Sequence, residues 1–290
     1  MQRVGLQRVS LPLREAPALE AGQVHVWLAR PTGMPMPGVV PAGEFGGNSS
    51  DNSDRNSDSN SNSNSGSNSG SNATDHSADP SAAGWAGNRP ESRVDRVRRE
   101  RIAQKFLLRL LLGAYLDCPG RDVRLVRGRH GKPELAGELA GSDLQFNLSH
   151  AGGWLAIAVA RRIEVGIDIE PADRDVRWPR LARRWFSPAE CEALAGMEAE
   201  PARREFLRRW SLREALVKAA GMTMAGSAGR IAAHPENPNR LLQLPDGWAA
   251  PGQWSLIEFQ NLPGLTGWLA APGEVSSVRH FRLIGQEGPS

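Results

Sequence analysis

Between Val165 and Glu170 the chain alternates with a period of two: Val165, Ile167 and Ile169 fall on one face of a strand, and Gly166, Asp168 and Glu170 on the other. At a rise of about 3.3 Å per residue the two acidic Cα atoms lie roughly 7 Å apart on one side. The same period marks strands at 22–30, where Val24, Val26 and Leu28 alternate with His25 and Trp27, at FNLSH (146–150) and at WLAIAVA (154–160). Gly152 and Gly153 make the turn between the last two. A period near four replaces it at 92–116, where Ser92 caps a helix whose stripe runs through Ile102, Phe106 and Leu110 with Leu107, Leu111 and Tyr115 beside it. FSPAECEALAG reads as a helix with Ser187 as cap, Pro188 in its first position and Glu190 in its first turn. The helix expected at 201–220 carries Phe206 and Trp210, and its row continues to Glu214 and Lys218. Leu212, Ala215, Leu216 and Ala219 form a second, apolar row.

Residues 48–72 contain no hydrophobic side chain and therefore cannot offset the entropy of ordering. With its Pro- and Gly-rich flanks this tract reads as a disordered insert at about 37–88. Of the 290 residues, 40% apolar with nine Trp, enough remains for one large domain or two compact halves. Neither a signal-peptide pattern nor an apolar run of membrane length occurs, and Cys118 and Cys191 set no disulfide framework. A cytoplasmic chain is the expectation. The net charge of +3 comes from arginine runs at 93–105 and 203–218. They suit phosphates, nucleic acid or an acidic protein, and equally a solvated helix face.

Two carboxylates on one strand face repel unless a cation or proton intervenes. Gly166 on that face leaves room for an approach, and a hard divalent cation with oxygen ligands suits it. Glu214 continues an aromatic row toward the core and supplies a third oxygen ligand. Lys132, held in a turn by Gly131 and Pro133, offers a phosphate a point charge. Ser149 and His150 offer a hydroxyl and a ring N–H. The chain has no P-loop, dinucleotide fingerprint or nucleophile elbow.

Taken in order, GKPEL, FNLSHAGGW, VGIDIE, RWFSPAE and RRWSLREALVKAAG resemble the phosphopantetheinyl transferase superfamily, more particularly the single-chain, pseudo-dimeric type that activates carrier proteins of peptide and polyketide synthases. The resemblance implies an α+β fold of two similar α/β halves about a pseudo-twofold, here 22–163 and 164–284. It implies Mg²⁺ on Asp168, Glu170 and Glu214, and coenzyme A with its phosphates on Lys132, Ser149 and His150. The activity so implied is transfer of the phosphopantetheine arm of coenzyme A to a serine of an acidic acyl or peptidyl carrier protein, releasing adenosine 3′,5′-bisphosphate. Glu214 accepts the serine proton and Lys218 serves the departing phosphate. A monomer without nucleic-acid or membrane partners follows. Met222, Thr223 and Met224 stand where the family often carries a basic residue after the Gly corresponding to Gly221. A metal-dependent nuclease would also use carboxylates and a lysine, but Pro171 and Ala172 follow Glu170 in place of its usual E-x-K. A basic nucleic-acid-binding module would use the arginines and leave the three acids without a role.

Overall fold

The computed structural model describes residues 6–11, 13–33, 92–259, 262 and 264–285; the whole of the expected insert at about 37–88 lies outside the described residues. The chain divides into two compact units, 1–36 with 97–290, and 37–96. Described in the second are residues 92–96, where Ser92 Oγ accepts the Asp95 N–H at 3.1 Å and donates to the Asp95 carboxylate at 2.7 Å, capping α1 (Arg93–Leu116).

The remaining elements belong to the first unit. In chain order they are β1 (Gln7–Ser10), β2 (Gln23–Ala29), the rest of α1, β3 (Leu125–Arg127), β4 (Pro133–Leu135), β5 (Leu144–Ala151), β6 (Trp154–Arg161) and β7 (Gly166–Pro171). Helices α2 (Trp178–Trp185), α3 (Pro188–Ala195), α4 (Ala199–Ala219) and α5 (Met224–Ser227) follow. Strands β8 (Ala232–Ala233), β9 (Leu241–Gln243), β10 (Trp254–Glu258), β11 (Leu265–Pro272) and β12 (Ser277–Ile284) complete it.

A five-stranded sheet has the order β1-β12-β2-β6-β5, parallel from β1 to β2 and antiparallel beyond. A three-stranded antiparallel sheet has the order β10-β11-β7. Each sheet is covered by one long helix, so the unit contains two similarly built α/β regions. The reason lies in the strands, most of which are apolar on both faces. On β2, Trp27 packs with Leu107, Leu111 and Tyr115 of α1, whereas Val24, Val26 and Leu28 join Ala156, Ala158 and Ala160 against Val165, just before β7, and Ile167 and Ile169 of the other sheet. The outer face of the three-stranded sheet, with Trp268 and Ala270, packs on Leu212, Ala215, Leu216 and Ala219, the second row expected on α4.

Gly166 has a different job from the one its place in the sequence suggests. A Cβ there would lie 2.0 Å from the Ala215 carbonyl oxygen and 2.4 Å from the Ala219 nitrogen. The room it leaves is filled by the backbone of α4, and a cation does not occupy that space. What this glycine secures is close approach of the helix bearing Glu214 and Lys218 to the strand bearing Asp168 and Glu170.

The arginines of α4 also differ from a solvated face. Glu190, the residue that completes the α3 capping box with Ser187, is fully buried and accepts from Arg213 at 2.6 Å and Arg209 at 3.3 Å. Arg208 pairs with Glu258 at 2.5 Å, and Arg203 with Glu200 at 2.5 Å. The basic run 203–218 is therefore largely spent inside the fold.

Candidate active site

The edge strands of the two sheets, β5 and β7, meet without forming a ladder. Side chains of β5 replace the ladder bonds: the Ile167 N–H donates to Asn147 Oδ1 at 3.2 Å, and the Ile169 N–H donates to Ser149 Oγ at 3.3 Å. Buried backbone donors have to be satisfied, and Asn147 and Ser149 do this for the residues on either side of Asp168. Sequence reasoning missed Asn147, because a polar residue in a strand reads as an outward position; its signal was the spacing of two from Ser149, matching Ile167 and Ile169. Asn147→Leu, which keeps the branched shape of the side chain and removes the acceptor, is expected to destabilise the protein by about 1–3 kcal/mol. A chemical-denaturation midpoint equal to that of the unsubstituted chain would contradict this.

The seam opens on a cavity of about 690 Å³ lined by Leu148, Ser149, His150 and Ala151 of β5, Asp168 to Pro171 of β7, Arg174, and Glu214 and Lys218 of α4. It thus brings together six of the seven residues named from the sequence. Asp168 is buried; its Oδ1 accepts from Ser149 Oγ at 2.9 Å and Lys218 Nζ at 2.6 Å, while its buried Oδ2 has no protein partner. Ser211 Oγ donates to the Asp168 carbonyl at 3.1 Å, and Lys218 also donates to the Ile167 carbonyl at 3.2 Å. Lys218 Nζ stands 3.8 Å from Glu214 Oε2, the pair spaced by four on α4. Glu170 accepts from Arg174 Nη1 at 2.5 Å. Burial, reinforced by the Asp168 charge, raises the pKa of both Glu170 and Glu214.

Lys132 is placed elsewhere. It lines a second cleft of about 390 Å³ with Glu164, Phe146 and Ala219 to Gly221, and its Nζ bonds Glu164 Oε2 at 2.6 Å. Both clefts border the last turn of α4, since Lys218 faces one and Ala219 the other. Arg174, four residues after Glu170 and beyond a proline, was also missed; its only sequence signal was that spacing.

Among the described residues no three His, Cys, Asp or Glu side chains already stand grouped as a metal site. The donors nonetheless fit a hard divalent cation: three carboxylates share one cavity, and the unsatisfied Asp168 Oδ2 is an oxygen ligand without a partner. In the geometry described, Lys218 and Arg174 stand against these acids.

Comparison with known proteins agrees with this arrangement. Residues 164–262 match the model of the 4′-phosphopantetheinyl transferase superfamily, and residues 92–162 that of the 4′-phosphopantetheinyl transferase N-terminal region. The 4′-phosphopantetheinyl transferase HetI of Nostoc is 35% identical over 163 residues, 56% of this chain and 66% of that protein. The 4′-phosphopantetheinyl transferase AcpT of Salmonella typhi is 41% identical over 110 residues, 37% of this chain and 52% of its own length. The human L-aminoadipate-semialdehyde dehydrogenase-phosphopantetheinyl transferase is 28% identical over 138 residues, 45% of each chain. The chain therefore spans less than two thirds of the length of these curated relatives. Two family matches that adjoin at 163, between β6 and β7, together with the gathering of the three acids, Lys218 and His150 by β5, β7 and α4, assign the chain to the 4′-phosphopantetheinyl transferase superfamily.

Proposed function

We propose that this protein transfers the phosphopantetheine arm of coenzyme A to a serine of an acyl or peptidyl carrier protein, with Mg²⁺, releasing adenosine 3′,5′-bisphosphate. The observation that carries the reading is the single cavity at the β5–β7 seam, which gathers three carboxylates, a lysine, a serine and a histidine. Asp168, Glu170 and Glu214 would hold the Mg²⁺. When bound, it supplies Lewis-acid polarisation of the pyrophosphate.

The chain's own residues do the rest. Glu214, whose burial raises its proton affinity, takes the proton of the attacking serine hydroxyl. Lys218, anchored on the Ile167 carbonyl, neutralises charge on the departing phosphate. His150, exposed at the cavity wall, donates to a phosphate of the coenzyme. Ser149, whose hydroxyl bridges Asp168 and the Ile169 N–H, shares that phosphate contact only by exchanging the Asp168 bond.

Lys132, in the adjoining cleft, holds another phosphate of the same coenzyme, which then spans the end of α4. Lys132→Ala is expected to raise KM for coenzyme A about tenfold with a smaller change in kcat, the pattern of an interaction present in ground and transition states alike. Initial rates over a coenzyme A series measure this, and an unchanged KM with reduced kcat would remove Lys132 from the binding site.

The two α/β regions correspond on this reading to halves at 22–163 and 164–284 related by a pseudo-twofold, each with a sheet under one long helix, except that β12 (Ser277–Ile284) of the second half crosses over to pair between β1 and β2 in the sheet of the first. The carrier protein meets an exposed basic surface, Arg177 at the start of α2 and Arg180, Arg183 and Arg184 along it, which follows Arg174 of the cavity wall in the chain; the run at 93–105 on α1 is a second exposed basic face. No helix among the described residues is long and apolar enough to cross a membrane. We place the protein in the cytoplasm as a monomer, in keeping with its two free cysteines. Intact-mass measurement of apo-carrier proteins incubated with coenzyme A and Mg²⁺ tests the reading. The added mass of one phosphopantetheine supports it, and unmodified carriers across acyl and peptidyl types would overturn it.

A further inference from the structure

Three carboxylates in the cavity face two cationic side chains. Lys218 serves Asp168 and, at longer range, Glu214, which leaves Glu170 to Arg174. The two members of this last pair differ in exposure: the Glu170 side chain is 11% exposed and that of Arg174 is 45% exposed. The carboxylate is thus fixed in the wall, while the guanidinium has an open side. Its root is firm. Arg203 Nη1 donates to the Ala172 carbonyl at 3.0 Å and to the Arg174 carbonyl at 2.9 Å, and the Arg174 N–H donates to the Pro171 carbonyl at 3.1 Å. The side chain can swing without its backbone moving.

We propose that Arg174 is the resident counter-ion that a divalent cation has to displace from Glu170, and that the displaced guanidinium then turns to the phosphate arriving with that cation. This deepens the transferase reading and rests on it. Glu170 Oε1 accepts a charge-assisted bond from Arg174, and a guanidinium held on that carboxylate repels a cation brought to the same group, so the two compete for it. Without a cation the cluster has one more negative than positive charge; a divalent ion reverses that sign, and the reversed charge attracts an anion. A planar guanidinium fork matches phosphate oxygens. Cation and phosphate therefore bind cooperatively, and a cation alone binds weakly.

The test is calorimetric titration of Mg²⁺ into the full-length protein, with and without saturating coenzyme A, for the unsubstituted chain, Arg174→Ala and Arg174→Gln. Folding of each variant is checked by circular dichroism. Both variants are expected to bind Mg²⁺ alone about tenfold more tightly, and coenzyme A is expected to tighten Mg²⁺ less in the variants than in the unsubstituted chain. A purely structural role for Arg174 would leave cation affinity unchanged or weaken it. Folded variants that bind Mg²⁺ no more tightly would overturn the proposal while the transferase reading stands. An unsubstituted chain that takes up no Mg²⁺ even with coenzyme A would overturn the assignment of the three acids, and this proposal with it.

Discussion

Glu214→Gln is expected to reduce phosphopantetheine transfer by about a thousandfold, the scale of a lost general base, while the folded protein keeps or gains stability in metal-free buffer. Both effects arise from one fact of placement. Glu214 extends from α4 into a cavity that already holds Asp168 and Glu170, and burial with the Asp168 charge raises its pKa. A carboxyl whose folded-state pKa lies above its unfolded value favours the protonated form on folding. Its ionisation therefore costs stability once the pH exceeds the ordinary glutamate pKa of about 4.3. Below that pH the penalty is absent, and it grows as the pH rises through the folded-state pKa. Glutamine removes it, so the variant should melt at or above the temperature of the unsubstituted chain at neutral pH, with the difference closing in acid. The Lys218 charge at 3.8 Å favours the ionised form, but less than burial and the Asp168 charge oppose it. Intact-mass assays of carrier modification and paired thermal melts at pH 4 and pH 7 measure both effects. Transfer within tenfold of the unsubstituted rate would remove Glu214 from the chemistry, and a variant destabilised at neutral pH would show that its carboxylate supports the fold.

Much of this site was legible in the sequence because its geometry follows from two periods. The strand period puts Asp168 and Glu170 on one face of β7, and the helix period puts Glu214 one turn before Lys218 on α4. The helices at 93–116, 188–195 and 199–219 show themselves by caps and apolar rows, and β2, β5 and β6 by alternation. What stayed hidden depends on contacts distant in sequence. Arg209 and Arg213 look like surface charge because their neutralising partner, Glu190, lies 19 and 23 residues earlier and reads locally as a helix cap. Asn147 looks like an outward-facing polar residue until β7 is laid against β5. Helix α2 is a two-turn element dense in Arg and Trp, and its short length gives no sustained period. Lys132 was recognised as a motif, but nothing local says that its cleft adjoins the acidic cavity across the end of α4.

Gly166→Ala is expected to destabilise the protein by about 3 kcal/mol or more, at or above the usual upper range for overpacking. That corresponds to a fall in Tm of roughly 6–12 °C for a domain of this size. The added Cβ would meet the Ala215 carbonyl oxygen at 2.0 Å and the Ala219 nitrogen at 2.4 Å, with the Ala219 Cα at 3.0 Å. These are backbone atoms within a helix, so no rotamer change relieves the contact; either α4 moves off the sheet or β7 bends. Each movement has a second cost, because α4 carries Glu214 and Lys218 and β7 carries Asp168 and Glu170. Separating them lengthens the Lys218–Asp168 bond of 2.6 Å and opens the cavity. Transfer activity should accordingly fall even at temperatures where Gly166→Ala remains folded. Gly141→Ala is the control: a Cβ there meets nothing within 4 Å and its φ is not in the left-handed region, so stability and activity should stay near those of the unsubstituted chain. Circular-dichroism melts of both variants, with transfer assayed well below the lower Tm, separate loss of fold from loss of alignment. If Gly166→Ala melted with the control, the close approach of α4 to β7 would not be what fixes the four side chains, and their convergence would have to be maintained from the β5 side by Asn147 and Ser149.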